Sequence, residues 1–577
     1  MKKKTIKIIS AGIAAALCAG IAAGCNPSFD DNTSGATEIT FRIGSGCCLS
    51  DTWLKPAFER FSELKKNESY EDGKTGVYAS IMQDKMITSD TSVLQYDIII
   101  GEANHINIYD MQAKGWLHNI DGIVSKFDNK IDPNIKERMK GADGRYYSMP
   151  MFSFYCGISY NLSLFENYNL YFAAPEETDV EEYASLFVAD ENGKYTANGG
   201  TVKFIGSKDA KKTCGPNGEY GDYDDGLPSS VEEFLVLCDY VRSERGINPF
   251  AIYGDGMVYD YGYMLVNAIW SGLVGEDIKN AYCDWTGKEV EVVKLDEKGN
   301  VMLTNEDLFY VGSGIKKPVT EKIVLSDENG YRMYDMVGRY YGLGVLQVAL
   351  KNNWFCQADW EGKSNFDTQK DFLYGEMNSK KDNRSAMLID SSYWYGESTA
   401  QGNIESYAKI NPTDPVPHVS IMPMPTSYTG QVAEHEGKKP ILLDTGAAQM
   451  CVSREVEKNA GKLRAVEEFI EYFYNNELAN FTEATGLQIA MDYSYDSSKL
   501  DEFYGRMKDI TDDGIIIRPA SANARFKNSV SNFSLSWGGY INSFNLDGLD
   551  CNRGPLYAMV HDKDMLRIFE VTRRKTW

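Results

Sequence analysis

Few side chains in this sequence stand at spacings that support catalysis. The five histidines do not form an HExxH or HxH pattern, in which two imidazoles on one element bind zinc. The sequence also contains no GxSxG nucleophile elbow and no Walker loop. These absences argue against a zinc hydrolase. We therefore expect no catalytic residue, no metal ligand and no cofactor.

Carboxylates are the most abundant groups that could do chemistry, with 83 Asp and Glu residues in the chain. Asp222, Asp224 and Asp225 precede a glycine, as in a calcium loop, but the twelve-residue frame puts Gly221 and Tyr223 where oxygen ligands are required. We predict a solvated acidic turn there. A glycosidase pair of carboxylates elsewhere stays open as an alternative, because the separation of two carboxylates cannot be read from a sequence.

Aromatic side chains are the second group that could bind a ligand. The chain has 37 Tyr and 9 Trp, and Tyr393, Trp394 and Tyr395 stand side by side behind the strand-like run that begins at Ala386. These rings combine a flat apolar face with a polar edge, which suits a core, an interface or the face of a sugar. Because strand side chains alternate, at most two of the three can point the same way. The trio is predicted to serve both as core and as a binding platform.

The first residues carry a targeting signal. Four lysines lie within the first seven residues, an apolar run spans 8–23, and small residues lead to Cys25. The pattern resembles a bacterial lipoprotein signal at 1–24, which implies that Cys25 is lipidated and that 25–36 form a tether. We then expect the chain on the extracytoplasmic face of the bacterial cell membrane, held by its lipid alone. The alternative is a plain secretory signal that is cleaved nearby.

Charge and cysteine usage exclude some partners. The formal net charge of −24 repels nucleic acid and anionic head groups, so we expect no nucleic-acid partner. The eleven cysteines show no CxxC spacing. Cys47-Cys48 could be a redox pair, but the cysteines outside the signal are predicted to be buried free thiols.

The elements that must position these groups have an α/β pattern. Glu38–Ile43 alternates as a half-buried strand, and Tyr96–Ile100 reads as a fully buried one. Between them lies an amphipathic helix, and Pro56 predicts that it begins beside that residue, which leaves Ser45–Trp53 in a loop. Strand, helix and strand in this order predict a βαβ unit and a parallel sheet.

Later segments extend this pattern, and the length of 577 residues predicts two or more units. Ser230 and Glu233 form a capping box before an apolar run, which predicts a helix start. Apolar spacing predicts further helices at Tyr263–Leu273 and Leu463–Phe473. The stretch Val290–Leu303 is predicted to form two strands around a Lys-Gly-Asn turn.

Six motifs stand in order along the chain: GWLHNIDGI at 115–123, DGRYYSMP and YNLSLF within 141–170, Ala386-Met387 with the aromatic trio, the Pro-x-Pro segment at 422–425, and the helical segment 444–486. Together they resemble the motifs of the family 1 extracellular solute-binding proteins of bacterial ABC importers. The resemblance implies an α/β, two-lobe, periplasmic-binding-protein-like fold of type II, with a cleft between lobes joined by hinge strands. It assigns 37–149 and 441–486 to the first lobe, and 150–440 and 487–577 to the second lobe. Two insertions lie within the second lobe, near 173–227 and 285–335.

The function implied by the resemblance is capture of a carbohydrate, in particular an oligosaccharide, and its delivery to ABC permease subunits by a monomeric, non-enzymatic protein. The aromatic content suits this role, because sugar rings stack on indole and phenol rings. Three alternatives stay open. The ligand could be a peptide or a polyamine, the protein could bind surface glycans without a permease, or, as the least favoured alternative, it could be a glycosidase.

Candidate ligand contacts from the first lobe lie in loops at strand ends, where α/β sheets open their binding crevices. Ser45, Asp51 and Trp53 follow the first strand. Glu102 and Asn104 follow the second buried strand, and they are favoured over the neighbouring His105, which reads as a surface residue.

Candidate contacts from the second lobe are mainly aromatic. Phe154 and Tyr155 precede a segment that faces the cleft in the family. Trp270 lies on a predicted helix, where an aromatic is more often core. Trp537 stands beside two glycines that permit close approach of a ligand. Tyr393, Trp394 and Tyr395 complete the set, and the resemblance favours one of the three stacking on sugar.

Overall fold

The structure is a computed structural model, and it describes most of the chain outside the first 34 residues. The described ranges are 35–44, 50–84, 90–102, 106–175, 203–206, 211–252, 261–275, 289–310, 312–354, 364–375, 384–427, 439–444, 448–517, 544–551 and 554–573. Ser45, Cys47-Cys48, Asn104, His105, Trp537 and the proposed signal with Cys25 lie outside the described residues.

The first sheet has five strands. In spatial order they are β2 (Val77–Asp84), β1 (Thr37–Gly44), β3 (Ile98–Glu102), β16 (Ala448–Val452) and β4 (Ser148–Pro150). β1 alternates buried and half-buried residues and runs parallel to both β2 and β3, which confirms the predicted βαβ unit. β16 returns antiparallel between β3 and β4.

The second sheet has six strands and takes most of its residues from later in the chain. They are β17 (Ile515–Ile517), β15 (Ile441–Asp444), β5 (Tyr155–Asn161), β13 (Ser385–Ser391), β8 (Asn248–Ile252) and β14 (Val419–Met422), which also pairs with β5. Every residue of β5 and β13 is buried, because apolar clusters cover both faces of this sheet. The sequence division assigned Ile441 onward to the first lobe, but β15 pairs with β5 and β17, and the first sheet resumes at Ala448.

Helices pack on both sheets. They are α1 (Ser50–Lys65), α2 (Ile108–Ala113), α3 (Asp121–Phe127), α4 (Pro133–Lys136), α5 (Leu162–Asn167), α6 (Val231–Ser243), α7 (Gly262–Val274), α8 (Val337–Lys351), α9 (Asn365–Leu373), α10 (Trp394–Ala400), α11 (Asn403–Ile410), α12 (Ala460–Asn476), α13 (Leu478–Thr485), α14 (Glu502–Asp513), α15 (Pro555–Val560) and α16 (Met565–Thr572). The Ser230–Glu233 capping box at the start of α6 is confirmed. Among the described residues, no helix combines the length and the apolar composition needed to span a membrane.

Short two-stranded sheets decorate this frame. They are β6 (Tyr171–Phe172) with β7 (Phe204–Ile205), β9 (Glu289–Val293) with β12 (Thr320–Val324), β10 (Leu303–Asp307) with β11 (Lys316–Pro318), and β18 (Phe544–Leu546) with β19 (Leu549–Cys551). The predicted hairpin around Lys298-Gly299-Asn300 is wrong in its pairing, because β9 pairs with β12 and a single bridge from Leu295 to Val301 closes the turn.

Helix α1 begins earlier than the sequence predicts. It starts at Ser50 instead of beside Pro56, so Ser50–Trp53 are helical and Pro56 lies inside the helix. A proline beyond the first turn removes a helical hydrogen bond. The buried face of the helix, which includes Leu54 and Phe58, offsets that loss because tertiary packing contributes most of a helix's stability.

The acidic turn is solvated only in part, because Asp222 is exposed and Asp225 is half-buried, but Asp224 is not accessible. Asp224 is fully buried, and its carboxylate accepts a 3.0 Å hydrogen bond from the backbone N–H of Asn217. Burial and the adjacent Asp222 carboxyl raise the pKa of Asp224 to about 9. Tyr223 donates a 2.7 Å hydrogen bond to Asp513, so the turn is tied to α14. Within the described part of the chain, no three His, Cys, Asp or Glu side chains are grouped to hold a metal ion.

The cysteines that the structure describes agree with the prediction of free thiols. Their side chains form no disulfide, and four of the five are buried: Cys156, Cys214, Cys238, Cys451 and Cys551, of which Cys214 is half-buried.

Candidate functional site at the hinge

The strands of the first sheet end in one row. Gly44 lies opposite both Asp84 and Gly101, and Gln449 lies opposite both Gly101 and Pro150. The topology therefore brings the C-terminal ends of β1 and β3 to one edge of the sheet. Of the residues predicted there, Asp51 is exposed on the first turn of α1, and Glu102 is the last residue of β3.

The second sheet presents a matching edge. β13 ends with Ser391 opposite Cys156, and β15 ends with Asp444 opposite Tyr155. Two crossings join this edge to the first sheet. The segment Met151–Phe154 leads from β4 to β5, and only residues 445–447 separate Asp444, the end of β15, from Ala448, the first residue of β16. The candidate site is therefore the region where the two sheet edges meet at these crossings.

Backbone and polar side-chain contacts fix the crossings side by side. The N–H of Met151 donates to the carbonyl of Ala448, and the N–H of Ala448 donates to the carbonyl of Phe152, both at 2.7 Å. The hydroxyl of Ser153 donates to the buried Asp444 carboxylate at 2.7 Å. A third chain segment reaches the hinge at Gln488, whose backbone carbonyl accepts the N–H of Ser153 at 2.8 Å.

Tyr155 is held at both ends in this hinge. Its N–H donates to the hydroxyl of Ser392 at 2.9 Å, and its carbonyl accepts the N–H of Ser392 at 2.8 Å. Its phenol donates to the side-chain carbonyl of Gln488 at 3.1 Å. Tyr155 therefore joins β5, the end of β13 and the Gln488 segment, and its side chain is fully buried.

A buried column of aromatic rings crosses the hinge. Tyr393 stacks on Phe154 at 4.8 Å and on Phe152 at 6.0 Å between ring centroids. Phe152 stacks in turn on Phe481, whose ring meets Trp53 edge-on at 5.1 Å. We call these five rings the aromatic column. It brings together three predicted site residues, Trp53, Phe154 and Tyr393, but it packs them against one another.

Trp394 and Tyr395 point away from the aromatic column. The expected strand alternation fails here, because the strand ends at Ser391 and helix α10 begins at Trp394. The indole N–H of Trp394 donates to the hydroxyl of Ser159 at 2.8 Å, and its ring is fully buried. Tyr395 stacks on Phe503 of α14 at 4.9 Å. Both rings pack between the second sheet and α14, so the trio is core with one member, Tyr393, turned toward the hinge.

Trp270 is a core residue of the second sheet's helical layer. It lies on α7 and is fully buried. Helix α8 comes so close that a Cβ atom added to Gly338 would lie 2.8 Å from the indole of Trp270. The absence of a side chain at Gly338 is what lets the two helices meet at this ring. Contact between Trp270 and a ligand stays a prediction.

A buried acid beside the hinge was missed by the sequence reasoning. Asp390 lies on β13, one residue before its end, and burial together with the nearby Glu397 carboxyl raises its pKa well above the usual range. The side-chain N–H groups of Gln369 reach Glu397 at 3.0 Å and Asp390 at 3.4 Å. A lone acid in an otherwise apolar strand, as in AMLIDSS, is the sequence signal that could have found it.

Comparisons with known proteins bear on the fold. No protein-family model and no curated protein sequence matches the chain. A solved structure that it resembles is the binding protein BlMnBP1 of an ABC transporter from Bifidobacterium animalis subsp. lactis, in complex with mannobiose. The two chains are 14% identical, the match covers 95% of this chain and 96% of that chain, and the TM-score is 0.50.

Two further solved structures match over similar lengths. They are maltose-bound MalE3 of T. maritima, with 12% identity, 93% and 98% coverage and a TM-score of 0.49, and a chitin oligosaccharide binding protein, with 13% identity, 93% and 99% coverage and a TM-score of 0.49. The similarity to the mannobiose-bound structure, together with two sheets joined by a hinge, establishes the fold class. The chain has the α/β, two-lobe architecture of periplasmic binding proteins.

Proposed function

We propose that this chain is the solute-binding lipoprotein of an ABC importer, that it captures a carbohydrate between its lobes, and that it belongs with the family 1 extracellular solute-binding proteins. The observation that carries the proposal is the match over nearly the full length of both chains to a mannobiose-bound transporter protein. The ordered motifs of the sequence support it independently of the fold.

In this proposal, the two sheet edges make different kinds of contact with the ligand. Ser45, Asp51, Glu102 and Asn104 supply hydrogen bonds from the first lobe, because carboxylate, amide and hydroxyl groups satisfy the hydroxyls of a sugar. Trp537 supplies a stacking face from the second lobe. Phe154, Tyr155 and Tyr393 form the floor near the hinge, where they set the depth of the cleft.

The decisive experiment is calorimetry of the purified mature chain against an oligosaccharide panel that includes mannobiose, maltose and chitin oligosaccharides. We expect saturable binding of at least one class, and no release of reducing ends on long incubation. Release of reducing ends would replace the proposal with the glycosidase alternative. Binding of peptides or polyamines without any sugar binding would replace the carbohydrate ligand.

A matched pair of variants tests the site. Trp537→Ala and Asp51→Ala are expected to weaken sugar binding about tenfold or more, since a lost stacking face or charged hydrogen bond costs about 1–3 kcal/mol. Lys126→Ala is the control, because Lys126 pairs with Glu471 on the surface formed by α3 and α12. Equal affinity in all four proteins would place the ligand elsewhere.

The proposed anchor and partners have their own test. In the native bacterium, the N-terminal peptide of the wild-type chain should begin at Cys25 and carry a lipid, which mass spectrometry detects as added mass, and Cys25→Ser should remove that lipid. An unmodified Cys25 in the wild type would overturn lipidation at this cysteine. A single-copy mass in solution, together with co-purification of permease subunits from membranes, would support a monomer that delivers solute to a transporter.

A further inference from the structure

Helix α14 braces several parts of the second lobe at once. Phe503 stacks on Tyr395, and Thr511 accepts a 3.1 Å hydrogen bond from the side-chain amide of Gln488. Gln488 in turn accepts the phenol O–H of Tyr155 at the start of β5. Gln488 therefore links α14 to Tyr155 of the hinge through one hydrogen bond to each.

The N-terminal end of α14 is attached through a histidine whose two ring nitrogens both face carboxylates. Nδ1 of His418 lies 2.9 Å from Glu502, the first residue of α14, and Nε2 lies 3.0 Å from Asp414, in the loop before β14. A neutral imidazole has one N–H, so it can donate to one of these carboxylates and must face the other with a lone pair. The imidazolium form donates to both, and only that form satisfies the whole arrangement.

We propose that His418 is a proton-dependent clasp, which holds α14 to the loop before β14 when the imidazole is protonated and loosens that helix, and through it the hinge, when the proton is lost. This regulation goes beyond the capture of a solute and does not depend on which ligand is bound.

The surrounding charges agree with the clasp. The hydrogen bond and charge of Glu502, followed by those of Asp414, raise the pKa of His418 above its usual value. Arg506 of α14 also pairs with Glu502. From α11, Tyr407 interacts with both Asp414 and Glu502, and also with Arg384. Asp501, which directly precedes α14, and Glu502 both interact with Tyr395 of α10.

The direction of the pH effect follows from the raised pKa. The folded state binds the proton more tightly than the unfolded chain, so the stabilisation is complete below the unfolded-state pKa of about 6.5 and is lost as the pH rises through the higher folded-state pKa. The clasp is therefore closed at low pH and opens as the pH rises through the folded-state pKa of His418.

The first lobe offers a matched control. Nδ1 of His118 lies 2.7 Å from Glu457, and Nε2 lies 3.5 Å from Glu467 on α12. This histidine has the same chemistry, but it fastens α12 of the first lobe. The two histidines therefore separate a general effect of protonation from an effect on α14.

The test is amide hydrogen exchange of the mature chain without ligand, at pH 6 and pH 8.5, each corrected for the intrinsic rate. His418→Gln should speed exchange in 502–513 by about two- to fivefold at pH 6, the range expected for partly exposed charge pairs, and should leave it unchanged at pH 8.5. His118→Gln should alter 460–476 and leave 502–513 unchanged. The proposal is overturned if His418→Gln has no effect at pH 6, or has an equal effect at both pH values.

A second measurement covers the case in which His418→Gln does not fold. In the wild type, the His418 ring resonance is titrated by NMR and compared with Glu502→Gln and Asp414→Asn. Each substitution should lower the apparent pKa of His418, because each removes one carboxylate from one ring nitrogen. An unchanged pKa in both variants would overturn the clasp.

Discussion

The two sheet edges that meet at the hinge differ in what they offer a ligand. The edge of the first sheet carries the exposed Asp51 on a helix turn beside the strand ends. At the edge of the second sheet, by contrast, Tyr393, Trp394 and Asp390 are all buried by packing within the protein. Aromatic residues that read as a binding platform in sequence are thus used largely to build the second sheet and the hinge.

The difference teaches that an aromatic run has two possible uses that local sequence does not separate. At the second sheet, both faces are covered by apolar clusters, so rings that leave a strand are drawn into a core on either side. We expect substitutions at the second edge to act first on stability and those at the first edge to act first on binding. Four predictions test this contrast, from the largest expected effect to the smallest.

Trp394→Ala should lower the free energy of unfolding by about 3–5 kcal/mol, because it removes a fully buried indole and leaves a cavity. Trp394→Phe should recover much of this loss and still lack the hydrogen bond to Ser159. Urea unfolding followed by circular dichroism measures both variants. A loss below 1 kcal/mol for Trp394→Ala would mean that the second edge is not core.

Tyr393→Ala should cost about 2–4 kcal/mol of stability, because it removes the ring between Phe152 and Phe154 in the aromatic column. Tyr393→Phe keeps the stacked ring and is the control. Titration of the same two variants with a sugar that binds the wild type, as the proposed function expects, shows whether the column also affects ligand binding. If Tyr393→Ala changed affinity with no change in stability, the ring would belong to the ligand and not to the hinge.

Asp390→Asn should stabilise the protein at pH 7–8 by roughly 1–3 kcal/mol, because a buried acid with a raised pKa is costly once it ionises. The wild type keeps its full stability below the unfolded-state pKa of Asp and loses it as the pH rises toward the raised folded-state pKa. The melting temperature of the variant should therefore depend less on pH. Equal pH profiles for the two proteins would contradict the burial argument.

Asp51→Ala should change stability by less than about 0.5 kcal/mol, because the side chain is exposed and lies away from the core. Its effect on sugar affinity should exceed its effect on unfolding, which is the reverse of the expectation for Trp394→Ala. A large loss of stability would show that the first edge is built like the second.

Much of the frame could be predicted from sequence. The alternation at Glu38–Ile43, the capping box at Ser230 and the apolar spacing at Leu463–Phe473 each correspond to the expected element. These signals are local, since they depend on residues two to four positions apart. The predictions that were wrong concern features that are not local in sequence. The start of α1 and the partner of β9 depend on segments that are distant in the chain, because the N–H of Ser50 donates to the side chain of Gln83 and β9 pairs with β12.

The candidate site divides in the same way. Sequence reasoning proposed Phe154, Tyr155 and Tyr393 one at a time, and the structure brings them together through contacts across more than 200 residues. It missed Asp390, since a single acid gives no spacing pattern. It also missed the pairing of His118 with Glu457 and of His418 with Glu502, which are 339 and 84 residues apart in the chain.

By itself, the sequence determined the α/β character and the main amphipathic elements, because periodicity and helix caps depend on residues that are close together in the chain. Only the tertiary structure decided which side of each element is covered. The turn from strand to helix after Ser391 sends Tyr393 to the hinge and sends Trp394 and Tyr395 into the core. The physical reason is that burial depends on what packs from elsewhere in the chain, and neighbouring residues do not carry that information.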